Sequence, residues 1–335
     1  HVGMITGIGV TSSGALYYKL GGRSNDVYAV ARDTAKGKAI GTPRPLVERF
    51  MGSNAWPEWA PDGTRLAYIS RRYPPPQTTF LCIRDLETGT DRDLRPDLFW
   101  FQDLQWFPDG RSILAYGVGP EDGTLGHFRI DTQSGAGSLL FEIEFRGMTP
   151  YAALSPDGKQ VYYKHVKDEQ APERIVARDL ASRRERIISR APDNSEFVEL
   201  AVSPDGTLLA TKLNWRGKAP FALVVVPTVG GELREVTNIP APHWFQNIAW
   251  TTDSRHILFT KHYWRDKKLD RVELWRVAVE SRKEEALGRM PEEIRDLCVH
   301  PAGQRIAYTM TQNRTEVWAM ENFLPDTTSK QERRK

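Results

Sequence analysis

The sequence predicts an all-β fold: a seven-bladed β-propeller of four-stranded antiparallel blades, with the last blade completed by N-terminal residues. Three observations carry this. A turn of the Pro-Asp-Gly kind recurs at Ser13, Asp62, Asp109, Asp157, Asp205, Asp253 and Ala302, with gaps of 49, 47, 48, 48, 48 and 49 residues. A period of that length marks supersecondary units that stack or close on one another. Each unit holds short runs of period-two alternation split by turn residues, the pattern of a four-stranded blade, and no stretch reads as a long amphipathic helix. The chain, 335 residues with 40% hydrophobic residues, suits one closed ring.

The first unit reads Ile5–Val10, a turn over Thr11-Ser-Ser-Gly14, then Ala15–Tyr18 and Asp26–Val30. The second supplies Ala55–Trp59, Arg65–Ile69, Thr79–Arg84 and a polar return through Asp91–Leu94. Between its first two runs lies Pro61-Asp-Gly63, with Pro suited to the first corner and Gly to the left-handed one. Units three to five repeat this order around Pro108-Asp-Gly110, Pro156-Asp-Gly158 and Pro204-Asp-Gly206. The turn softens to Thr251-Thr-Asp-Ser254 in the sixth and His300-Pro-Ala-Gly303 in the seventh. The third run of several units ends in an aspartate before a Gly or Ser turn: Asp85, Asp131 and Asp179. These are read as turn aspartates bonding their own backbone. Each Pro-Asp-Gly turn offers one carboxylate, too few for the six to eight oxygens calcium takes.

After Thr315–Met320 no clear fourth run follows, so the outer edge of the last blade needs a strand from elsewhere. Residues preceding His1 are expected to supply it, which marks the chain as a piece of something longer. Residues 1–325 read as one propeller domain and 326–335 as a flexible basic tail. Pro74-Pro-Pro76 reads as a stiff loop inside a blade.

Net charge of +3, from 46 basic and 43 acidic residues, gives no electrostatic footprint for nucleic acid. No apolar run reaches the length of a membrane span. Cys82 and Cys298 are expected as two buried thiols in non-neighbouring blades, without a disulfide.

The repeats Trp59-Ala-Pro-Asp-Gly63, Trp106-Phe-Pro-Asp-Gly110, Leu154-Ser-Pro-Asp-Gly158 and Val202-Ser-Pro-Asp-Gly206 resemble the TolB-type β-propeller repeat, related to the propellers that gate prolyl oligopeptidase-like enzymes. The resemblance covers nearly the whole chain. It implies a propeller that docks partners, senses ligands or gates a protease, extracytoplasmic in a bacterium and one module of a larger protein. One departure is the count, since TolB itself is usually described as six-bladed and seven marks occur here. The ending Val317–Pro325 also looks like C-terminal propeller modules of large bacterial sensory proteins.

In such a ring the loops leading into each innermost strand share one face with those joining second and third strands. The Pro-Asp-Gly turns lie on the other. The shared-face loops are rich in aromatic, Arg and amide side chains, which suit recognition. The candidate ligand- or partner-binding residues are Trp56, Arg72, Trp100, Gln102, Tyr151, Trp215, His243, Trp244, Gln246 and Trp264. Other Arg and His residues of these loops, His262 among them, read as solvated. Trp59, Trp106 and Trp250, next to the turns, read as core between blades.

No catalytic residue and no metal ligand is assigned. The seven histidines form no His-x-His or His-Glu-x-x-His pattern, and there is no Gly-x-Ser-x-Gly elbow or phosphate loop. The expected activity is therefore binding of a protein partner or small ligand, without cofactor or nucleic acid. Two alternatives stay open: a metal-dependent carbohydrate lyase with metal-binding histidines at the channel mouth, and the gate of a peptidase.

Overall fold

The structure, a computed structural model, describes residues 4–12, 14–33, 39–72, 78–120, 122–143, 151–166, 172–215, 221–240, 243–266, 268–291 and 293–321. The basic tail, the Pro74–Pro76 loop and the mark Ser13 lie outside these. Among the described residues the architecture is wholly β, a propeller of antiparallel blades.

Five blades follow the predicted order. The first comprises Asn54–Trp59, Arg65–Arg72, Thr78–Asp85 and Asp91–Leu94. The next four have innermost strands Trp100–Trp106, Ala152–Leu154, Ser195–Val202 and Trp244–Trp250. The last blade takes its two inner strands, Glu293–Val299 and Arg305–Met320, from the end of the chain. Its outer strands, Leu16–Arg32 and Ala39–Pro45, come from the beginning.

The innermost strands adjoin one another in a closed circuit, with Glu293–Val299 beside Asn54–Trp59 and Gln105 hydrogen-bonded to Ala152 and Leu154 of the next blade. Against seven marks, the described residues form six sheets, because the strands on either side of the first mark, Met4–Val10 and Leu16–Arg32, share one sheet with those on either side of Ala302. The physical reason lies in the first hairpin. Met4–Val10 pairs with the start of Leu16–Arg32, and that strand then runs on to fill the third place of the closing blade. The turn Thr11–Gly14 has blade-like spacing but joins a ribbon outside the ring. N-terminal residues do complete the last blade, but they are the chain's own strands Leu16–Arg32 and Ala39–Pro45, paired from Leu16↔Met320 to Ala31↔Arg305, where residues preceding His1 were expected. A further consequence concerns the thiols. Cys82 and Cys298 are buried and free, as expected, but their blades are neighbours and both sit in one apolar cluster with Trp59 and Tyr68.

Each Pro-Asp-Gly turn is closed by its own aspartate. Asp62 accepts from the Thr64 amide at 2.9 Å, Asp109 from Arg111 at 2.8 Å and Asp205 from Thr207 at 3.0 Å. Gly63, Gly110, Gly158 and Gly206 take the left-handed corner, with φ between 62° and 73°. The third-strand aspartates behave alike: Asp85, Asp131 and Asp179 accept from amides of Thr88, Ser134 and Ser182. Trp59, Trp106 and Trp250 are buried between blades as predicted. Trp106 donates its indole N–H to the Glu58 carbonyl at 3.0 Å, and Trp250 to that of Ala201 at 2.9 Å, each reaching the preceding blade.

Candidate functional site

The innermost strands surround a central cavity of about 780 Å³. Its wall has one repeated irregularity. Six residues before each of the six marks from Asp62 to Ala302 stand Trp56, Asp103, Tyr151, Glu199, Asn247 and Asp296. All but Tyr151 have positive φ, from 53° to 61°, and the strand register shifts around each of those five. A bulge re-aims one side chain out of the alternating pattern; here all six residues line the cavity.

Several of these side chains tie one blade to the next. Glu199 accepts from the Ile248 amide at 2.7 Å, and Asn247 donates to the Ile294 carbonyl at 3.0 Å. Asp103 takes a backbone hydrogen bond from Ala152, and Asp296 one from Trp56 across the closing seam. They also meet the second strand of their own blade: Asn247 donates to the Thr260 hydroxyl at 3.2 Å and Glu199 pairs with Lys212 at 2.7 Å.

Enclosure changes the protonation of this ring. Burial pushes the Asp103 carboxyl up to about 7, with Asp296 and Glu199 adding repulsion. Burial also raises Asp296 to about 6, and Glu58 to about 8 with Asp103 beside it. Glu58 keeps some surface on the cavity but is walled in by protein, and the enclosure decides its proton affinity.

The sequence-predicted binding residues fall into three groups. Trp56, Gln102, Tyr151 and Gln246 line the cavity. His243, Trp244 and Trp264 come together on the fifth blade. The two indoles lie 4.7 Å apart, His262 stacks on Trp244 at 6.4 Å, and His243 Nδ1 accepts from the Trp264 amide at 3.2 Å. Trp100, Trp215 and Arg72 stand apart from both. Trp100 packs edge-on against Tyr116 at 5.6 Å, and Trp215 packs on the apolar core of the third and fourth blades. Arg72 is already engaged: it pairs with Asp93 at 2.7 Å and lies over the rings of Phe50 and Phe80 at 3.8 and 4.3 Å.

His262 is a correction. It reads as solvated from sequence, yet it is 1% exposed, and burial pushes its imidazole down to about 4. Among the described residues no group of three His, Cys, Asp or Glu side chains is placed to hold a metal ion.

Among the described residues, three buried polar atoms of the predicted set have no hydrogen-bond partner: the indole nitrogens of Trp244 and Trp264, and Gln246 Oε1. Native interiors leave few such groups, and each asks for an explanation. The sequence reading missed the bulge ring, although the fixed offset of Asp103, Glu199, Asn247 and Asp296 from the turns is visible in it. Polar residues inside a strand that should alternate apolar were the available signal.

No family model matches the chain, and no curated protein does. Solved structures do match. A protein from Agrobacterium tumefaciens described as TolB aligns with a TM-score of 0.65 and 16% identity, covering 87% of this chain and 99% of its own. TolB from Acinetobacter baumannii aligns at 0.61 and 16% identity, covering 82% and 66%. An oligogalacturonate lyase in complex with manganese aligns at 0.54 and 12% identity, covering 90% and 76%. The chain thus has the TolB-like β-propeller fold. At these identities the likeness is one of fold.

Proposed function

We propose that the chain is a binding module, a sensory or protein-interaction domain of a larger bacterial protein outside the cytoplasm, and that it engages its partner through the loop face at the channel mouth. The observation that supports this most is the Trp244–Trp264 pair. Two flat rings, whose indole nitrogens have no hydrogen-bond partner among the described residues, occur together on the loop-bearing side of one blade. Aromatic anchors with unused donors and acceptors are what a partner's backbone or polar groups complete. The TolB-like fold is consistent with this reading. Among the described residues no helix is long and apolar enough to cross a membrane.

The test is capture from the periplasmic fraction of the source cells, comparing wild type with the Trp100→Ala, Trp244→Ala double variant at equal folded concentration. The expected result is a protein or small ligand retained by wild type and lost from the double variant. Equal retention by both would remove the loop face from the account.

A further inference from the structure

Arg71 stands at the end of the second strand of the first blade, next to the engaged Arg72. Its guanidinium lies over the Trp56 ring at 4.8 Å, and Trp56 lines the channel. The Nε and Nη2 atoms are both buried, and among the described residues neither has a hydrogen-bond partner. These two atoms form the side-on edge of the guanidinium, the pair of parallel N–H groups whose spacing matches the two oxygens of a carboxylate.

The protein supplies no carboxylate for that edge among the described residues. Asp296 is the acid whose charge Arg71 feels, but its carboxyl is held by the Thr309 hydroxyl and the Trp56 amide. Burial lowers the affinity of Arg71 for its proton, and Asp296 offsets this only in part. A desolvated cation with its best hydrogen-bonding edge unused is a standing cost to the fold. Arg72 shows the contrast one residue away: its Nε donates to Ser70 Oγ at 3.3 Å, its Nη2 to Cys82 Sγ at 3.3 Å, and its Nη1 pairs with Asp93. The flat face of Arg71 is set by Trp56, so the edge is held in orientation as well as left open in chemistry.

We propose that Arg71, oriented by Trp56, is a carboxylate-binding subsite at the channel. It takes the two oxygens of one carboxylate group on Nε and Nη2. It rests on the loop-face reading for its setting and adds the chemistry of the ligand: a carboxylate, carried by an acidic peptide side chain or by a uronic acid.

The experiment titrates the intact chain with N-acetylglutamate and with galacturonate. The neutral counterparts N-acetylglutamine and galactose serve as controls. The readout is the Arg71 Nε–H resonance, assigned by its absence in Arg71→Lys. The expected result is a saturable shift with one of the two carboxylates, which also names the source, and none with the neutral compounds. Arg71→Lys keeps the charge but lacks the side-on edge, and binding is expected to weaken about tenfold or more. Arg71→Met keeps the packing on Trp56 and is expected to abolish binding. An Arg71 resonance unmoved by both carboxylates, or moved equally by the neutral compounds, overturns the subsite. So does unchanged affinity in Arg71→Met. Because these titrations do not use the partner, a partner captured through Trp244 alongside a silent Arg71 sinks only the subsite.

Discussion

The two ends of the channel are built from the same repeat and treat polar groups in opposite ways. At the turn end, Asp62, Asp109, Asp157, Asp205 and Asp253 each accept from an amide of their own turn. Their chemistry is used up locally. At the loop end, Trp244, Trp264, Gln246 and Arg71 carry buried donors or acceptors that nothing in the described chain meets. The difference teaches where to look for function in a repeat protein. What recurs in every blade stabilises the blade, and what one or two blades do alone is available for recognition.

The comparison can be broken most strongly at the turn end. Trp106→Ala removes a buried indole and its hydrogen bond to the preceding blade, and is expected to cost about 3–5 kcal/mol in denaturant unfolding. Trp264→Ala at the loop end is half-buried and is expected to cost clearly less while abolishing partner capture. If Trp264→Ala proves as destabilising as Trp106→Ala, the two ends do not differ in the way described.

A second test uses protons. Asp103, Asp296 and Glu58 hold their protons more tightly in the fold than an unfolded chain does. Their contribution is thus full below about pH 4, where such carboxyls are protonated in either state. It is lost progressively as pH rises through about 6 for Asp296, 7 for Asp103 and 8 for Glu58. Unfolding free energy measured from pH 5 to pH 8.5 should therefore fall more steeply in wild type than in Asp103→Asn. His127 acts in the opposite direction. It is 1% exposed, packs between Tyr116 and Phe141, makes no hydrogen bond with either ring nitrogen among the described residues, and is pushed down to about 3 by burial. Neutral His127 costs nothing in charge above about pH 6.5, and stability drops below that as the unfolded chain takes the proton first. His127→Phe should remove this drop and raise stability by about 1 kcal/mol, read as a higher thermal midpoint at pH 5.

The smallest expected effect belongs to a single turn. Asp157→Ala gives up the bond to the Lys159 amide and should cost about 1 kcal/mol, with partner capture unchanged.

Much of this was legible in the sequence, because a turn aspartate, a left-handed glycine and an inter-blade tryptophan act through neighbours a few residues away or one period away. Asp62, Gly63 and Trp106 stand where the pattern puts them. The blade count was not legible. The turn at Thr11–Gly14 has the right spacing and a degenerate sequence, and only the pairing of Leu16–Arg32 with Arg305–Met320 shows that it lies outside the ring. Closure also made neighbours of Cys82 and Cys298, which linear spacing had set apart. The loop face was half legible. Aromatic content pointed to Trp244 and Trp264, whereas the engagement of Arg72 depends on Asp93 across the blade, and the edge of Arg71 meets no partner among the described residues. Adjacent arginines look identical in sequence, and their partners separate them.

The most direct measurement places one photo-crosslinking residue at a time on each end of the channel in the source cell. Positions 99 and 265, exposed on the loop side, are set against positions 111 and 159 at the turns. The account predicts a discrete crosslinked species from the loop positions that disappears with Trp244→Ala, and none from the turns. Crosslinks from the turn positions alone, indifferent to Trp244→Ala, would contradict it.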